Sequence, residues 1–381
     1  MTDQADPNEP HHERSQAPPL LPQATPRACP LPGCGGLIGA APEHFEVEEL
    51  PAYAHSGEGE HLYLWIEKKG RNTRDVTKML AQVSGVRERD IGFAGMKDRN
   101  AITRQWFSLA HSGEAASTWD LGDDVRILQQ ARHNNKLRTG HLLGNRFRLT
   151  LVGLLPSGPE LAQATAEHLR RHGIPNYFGP QRFGRDGRNL EQALAWLKGL
   201  SSDSSPPQAP RPRRSRRKGR GPDEKMLSSV IQSEIFNRFL ALRLAAKPEL
   251  KCGDVVRLSG SKKHFIVEDL AAERARYESG DILLTGPMIG PKTVQAGAEV
   301  GSLEAQIVHQ LGLASEDLEQ LGRHAPGARR DCVIFPEELE VERQGQNITL
   351  AFSLPAGAYA TNLVREFSGA SWGELRMQHA S

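Results

Sequence analysis

Strand patterning occupies both ends of this chain and a helix-rich block occupies its middle, and that arrangement restricts the fold more than any other feature. Residues 61–68 (HLYLWIEK), 102–109 and 146–152 read as strands ahead of the block, and 331–335, 339–343 and 347–354 read as strands after it. Between them, residues 225–246 place Leu227, Val230, Ile231, Phe236, Phe239 and Leu240 at helical spacing. Short strands at 254–258 and 264–269 follow, with helices near 270–279, 297–311 and 315–321. Elements must bury their apolar faces in shared layers, so one sheet gathering strands from both sides of an insertion is expected. A length of 381 residues suits two domains or a core with a large insertion.

The boundaries follow from composition. Residues 1–35 are rich in Pro, Gln and His with few aliphatics, too little apolar surface to offset ordering entropy, and are expected to form a disordered tail. The strand-bearing unit then comprises 36–201 and 335–381, and the insertion 202–334, beginning with a Ser/Pro/Arg linker at 202–222. Net charge is only +2, yet residues 211–220 hold seven basic side chains and no acid, which leaves the rest of the chain near −5. Such a stretch either gains phosphate affinity by counterion release or stays a solvated linker.

Four cysteines in a chain this long are no disulfide framework and fit a reducing compartment. Cys29 and Cys34 have loose metal-ligand spacing, but no second Cys/His pair follows, so no metal site is expected. With no 18-residue apolar run and no apolar leader, a cytoplasmic protein is expected rather than a membrane or secreted one.

Two segments carry chemistry. In GFAGMKDRNAITRQW, residues 92–106, Asp98 tops a turn between a short apolar run and a strand in which Ile102, Arg104 and Trp106 face one way. Such a site is held by rigid elements and open to a ligand, which suits a nucleophilic carboxylate. The same Asp equally suits turn closure through nearby backbone N–H groups. Ahead of it, Asn72 caps a helix with Val76, Met79, Leu80 and Val83 on one face. In NYFGPQRFG, residues 176–184, the aromatics and the polar Asn176, Gln181 and Arg182 suit base stacking and phosphate contact. Tyr177, Phe178 and Phe183 serve as well for core plugs beside a turn. A carboxylate glycosidase is disfavoured, because no second acid shares the Asp98 motif.

Together with PEHFEVEE at 42–49 and LPAGAYATNLVRE at 354–366, these motifs occur in an order and spacing that resembles the TruD family of tRNA pseudouridine synthases over residues 36–369. The resemblance implies an α+β fold: a catalytic domain on a mixed, mainly antiparallel sheet, with a family-specific inserted α/β domain. It further implies isomerisation of a uridine in tRNA, typically uridine-13, without metal or organic cofactor; a monomer is expected. Carried over singly, Asp98 is the nucleophile and Phe45, Asn176 and Tyr359 line the uridine site.

Two departures stand out. Relatives often have a basic residue six positions before the Phe, where this chain has Gly39, so Lys97 or Arg182 is the expected supporting cation, with Gln181 as a further polar support. Tyr359 replaces an expected Phe, keeping the stacking face and adding a hydroxyl. Asn176 is expected to hold a uracil edge, orient its loop or close a turn. A non-catalytic RNA-binding protein or RNA chaperone is the alternative, and retention of Asp98 argues against it.

Overall fold

A computed structural model describes residues 25–111, 119–184, 187–202, 223–245 and 249–375. The basic stretch at 211–220 lies outside them. Before the helix-rich block come β1 (Gly35–Ile38), β2 (Phe45–Pro51), β3 (His61–Lys69), α1 (Thr73–Ser84), β4 (Gly92–Phe93), β5 (Ile102–Ala110), β6 (Val125–His133), β7 (Leu142–Leu154), α2 (Gly158–His172), β8 (Ile174–Pro175) and α3 (Arg188–Ser202). The block comprises α4 (Glu224–Ala245), β9 (Val255–Leu258), β10 (His264–Ile266), α5 (Leu270–Glu278), β11 (Ile282–Met288), α6 (Ala298–Gln310), α7 (Ser315–His324), β12 (Ala328–Asp331) and β13 (Val333–Ile334). β14 (Glu337–Gln344), β15 (Asn347–Pro355) and α8 (Ala360–Ser368) follow it.

Nine strands form the main sheet in the order β14-β15-β7-β2-β5-β3-β6, with β1 beside β7 and β4 beside β5. The β2–β5 pair is parallel and its neighbours are antiparallel. The fold is therefore the expected α+β class on a mixed, mainly antiparallel sheet. Its middle joins strands from both ends of the chain, since β15 lies against β7 with Leu350 opposite Leu149.

Side-chain alternation decides what covers the sheet. Leu62, Leu64 and Ile66 of β3 and Phe107 and Leu109 of β5 pack with Val76 and Leu80 of α1. That helix starts as its cap predicts, with Asn72 N–H donating to Asp75 at 3.1 Å, and ends at Gly85, whose φ of 73° is readily adopted only by glycine. On the other half, α2 and α8 cover Leu149, Leu151, Leu350 and Phe352.

The block contributes a four-stranded antiparallel sheet in the order β10-β9-β11-β12. Its α4 is buried nearly all round, and Phe236 and Phe239 join the same apolar cluster as Phe45 and Val47 of the main sheet. β13 pairs with β8, Val333 opposite Pro175, so the end of the block is stitched to the strand that launches the 176–184 loop.

The expected tail needs correction at its inner end. Residues 25–35 are packed, with Cys29 and Cys34 buried. Cys29 N–H donates to the Glu366 carboxylate at 2.8 Å, Cys34 N–H to Phe367 O at 2.8 Å and Trp372 Nε1 to Thr25 Oγ1 at 2.7 Å. These backbone and aromatic contacts to α8 and the turn beyond it substitute for the missing aliphatics. Residues 1–24 lie outside the described residues. No described helix is long and apolar enough to cross a membrane.

A candidate active site at the Asp98 loop

The Asp98 loop is pinned from below. β4 pairs with the far end of β5, Phe93 opposite Phe107, so residues 94–101 double back along β5. Gln105 Nε2 donates to Gly95 O at 3.0 Å, and Lys97 N–H donates to Thr73 Oγ1 at 2.9 Å, which itself donates to Gln105. Lys68 Nζ donates to Asp98 O at 2.8 Å and to Arg71 O at 2.6 Å. Exposure alternates along the loop: Met96 and Asp98 are exposed and Lys97 between them is buried. The Asp98 carboxylate thus faces solvent, and no hydrogen bond or ion pair engages it among the described residues. The turn-closing role has no support in this geometry.

Lys97 is committed elsewhere. The β2–β5 ladder runs from Glu46–Ile102 to Glu48–Arg104. One residue further on, the Glu49 carboxylate accepts Trp106 N–H at 3.3 Å and Lys97 Nζ at 2.9 Å. Burial pushes the Glu49 carboxyl upward, and the adjacent Lys97 charge opposes that shift. The cation under Asp98 is Lys68, which the sequence motifs do not single out. Burial pulls its ammonium down to about 8, and the Asp98 charge acts against that pull.

Register links this loop to the far side of the sheet. Glu49 lies opposite Asn145 of β7, and Asn145 lies opposite Leu354 of β15. Asn145 Oδ1 is buried without a partner. The chain leaves β15 one residue beyond Leu354 and reaches Tyr359 at the start of α8. Phe45 and Val47 share the Glu49 face of β2 by alternation, and Phe45 is buried.

The 176–184 loop packs beside Tyr359. Asn237 clamps Phe178 through both its backbone groups, and Asn362 of α8 donates to Tyr177 O at 2.7 Å. Tyr177 and Phe183 are core plugs, whereas Phe178 meets the half-buried Tyr359 ring edge-on at 6.2 Å. A Cβ on Gly179 would come within 3.2 Å of that ring, so the glycine permits the approach. Asn176 is 5% exposed; its Nδ2 donates to Asp331 O at 2.9 Å and its Oδ1 accepts from Arg330. Of its three expected roles, orienting the loop is the one these bonds perform.

Arg182 lies over Phe178 at 5.4 Å, and Gln181 is exposed. Arg330, which lies in none of the motifs, sits over the same ring at 4.1 Å. Gly39 has its own explanation: a Cβ there would sit 1.9 Å from His44 Nδ1, so the His44 ring fills the space a side chain would take.

Comparisons with known proteins agree with this architecture. The family model tRNA pseudouridine synthase D (TruD) matches residues 26–192 and 223–367. Proteins named tRNA pseudouridine synthase D are similar to the chain in Anaeromyxobacter dehalogenans, 40% identical over 89% of this chain and 95% of that protein, and in Thermus thermophilus, 40% identical over 88% and 89%. A solved structure from Methanosarcina mazei, described as a putative tRNA pseudouridine synthase D (TruD), shares the fold with a TM-score of 0.71 and 22% identity, covering 93% of this chain and 99% of that one. With a family model spanning both sides of the block and relatives matched nearly end to end, this chain belongs to the TruD family of tRNA pseudouridine synthases.

Proposed function

We propose that the protein converts uridine to pseudouridine in tRNA, at position 13, acting in the cytoplasm as a monomer without metal or organic cofactor. The observation that carries this reading is the unengaged Asp98 carboxylate, presented to solvent on a loop braced by Lys68, Thr73, Gln105 and the Lys97–Glu49 pair. A nucleophile must be ionised before substrate arrives, and must attach and later leave, which a carboxylate does.

The target uridine leaves its stack at a cost of a few kcal/mol. Stacking on Phe45 and Tyr359 recovers about 1–3 kcal/mol per base. The C1′–N1 bond then breaks, the base turns within the aromatic walls, and C1′ bonds to C5. The C5 hydrogen departs as a proton and the freed N1 takes one up, so the product is an isomer of the substrate. Asn176 acts through the loop, holding Phe178 and Arg330 against Tyr359.

Tritium release from tRNA labelled at uridine C5 tests this directly. The unaltered protein is expected to release tritium, and Asp98→Asn is expected to bind the same tRNA within a few-fold while releasing none. Turnover by Asp98→Asn would sink the nucleophile assignment. No release by the unaltered protein, with tRNA binding intact, would favour the non-catalytic RNA-binding reading.

A further inference from the structure

Several deep guanidinium groups in this protein face an acid, although among the described residues Arg365, which lies over Trp372 and donates to Thr25 O, does not. Arg243 meets Asp254 at 2.6 Å, Arg329 meets Glu304 at 2.6 Å and Arg257 meets Asp331 at 2.8 Å. Arg330 and Arg182 differ. They flank one ring, Phe178, at 4.1 and 5.4 Å, and neither is paired with a carboxylate among the described residues.

The plane of Arg330 is fixed. Its Nε donates to Asn176 O at 3.2 Å, and its Nη2 donates to Gly357 O at 3.0 Å and to Asn176 Oδ1. Nη1 is left over, on the side of the 356–359 turn that delivers Tyr359. Arg182 has a buried Nε with no partner. Burial brings the Arg330 guanidinium down to about 10, with neighbouring Arg182 acting in the same direction and Tyr359 and Asp331 against it. Such a charge is costly unless an anion arrives. An aromatic ring against two guanidiniums offsets part of that cost and helps keep these planar groups aimed.

We infer that Arg330 and Arg182 form a phosphate clamp, backed by Phe178, that grips the RNA backbone beside the uridine stacked on Tyr359. The inference rests on the proposed function, which places the extruded base at Tyr359. A nucleotide leaving its stack carries its phosphates with it, and the remaining Nη1 of Arg330 together with the Arg182 guanidinium can donate charge-assisted hydrogen bonds to that anion. The clamp holds the backbone of the flipped nucleotide rather than reading its base.

The readout is affinity for RNA in the Asp98→Asn background rather than turnover, so failure of the clamp and failure of the nucleophile assignment are read separately. The ligand is a tRNA-derived stem-loop in which one of the two phosphates flanking the target uridine is a neutral methylphosphonate. One neutral linkage is expected to weaken binding about tenfold. In the full-length chain also carrying Arg182→Gln, or separately Arg330→Lys, the same linkage is expected to cost no more than about twofold. Arg182→Gln should also flatten the salt dependence by about one phosphate contact, whereas Arg330→Lys keeps its charge and should leave the slope nearly unchanged. Arg182→Gln leaves the Asn176 and Gly357 bonds untouched, so it decides the matter if Arg330→Lys melts early. An equal methylphosphonate penalty with and without Arg182, or no penalty at either phosphate, would overturn the clamp.

Discussion

The main sheet carries ion pairs on both faces, with opposite energetic weight. On the open face Arg104 bridges Glu46 at 3.3 Å and Glu67 at 2.8 Å, Arg146 meets Glu338 at 3.0 Å and Arg148 meets Glu342 at 2.9 Å. These side chains are partly exposed, so each pair contributes about 0–1 kcal/mol. On the covered face Lys97 and Glu49 pair at 2.9 Å with side chains 5% and 1% exposed, and Lys68 is fully buried. Burying such a pair stabilises less than two apolar side chains of the same size would. Stability alone therefore explains the open face and leaves the covered face unexplained. The covered charges hold a loop whose next residue is Asp98.

Breaking the covered pair should have the largest effect. Lys97→Met leaves Glu49 buried and unpaired, and chemical denaturation is expected to show a loss of about 3–5 kcal/mol. Adding Glu49→Gln, which keeps an acceptor for Trp106 N–H, should recover most of that loss. Tritium release should stay low in the double variant, because the loop has lost its anchor. Recovery of stability and turnover together would reduce the pair to packing.

The second test uses Lys68, whose ammonium titrates near 8 in the folded protein and near the ordinary lysine value when unfolded. A base with a depressed folded pKa loses stability as pH falls toward that value. Between about pH 8 and 10.4 the unfolded chain holds a proton that the folded protein has shed, so stability rises with pH by up to about 1.4 kcal/mol per unit. Subtracting the curve of Lys68→Met should isolate that rise. A flat difference would place Lys68 with the open-face charges. The smallest effect is expected from Arg148→Ala on the open face, below about 1 kcal/mol and with unchanged tritium release.

The two faces also differ in how far they can be read from sequence. Strong alternation makes β3, β5 and β15 legible, and the Asn72 cap announces α1. β6 is hidden because VRILQQARH is an edge strand burying little beyond Val125. β11, a nearly continuous apolar run ending in GPM, lacks the period that marks a strand. Asp98, Phe45, Asn176 and Tyr359 are legible as residue types inside motifs. Lys68 and Arg330 lie in no motif, and Glu49 ends the first motif without a readable partner, because register makes these roles: Glu49 lies 48 positions from Lys97, and Arg330 lies 154 from Asn176. No local pattern encodes a partner that the sheet supplies.

The pairing of β7 with β15 has a consequence for how the protein comes into being. Thr150 and Thr349, hydrogen-bonded across that pair at 3.2 Å, are 199 positions apart, and the helix-rich block is synthesised in the interval. Contacts so distant in sequence form late. A chain still on the ribosome can assemble the Asp98 loop with β3 and β5 while Tyr359 has yet to be translated. The Asp98 side of the candidate site is therefore assembled early, and its Tyr359 side is added only when α8 closes against residues 29–34.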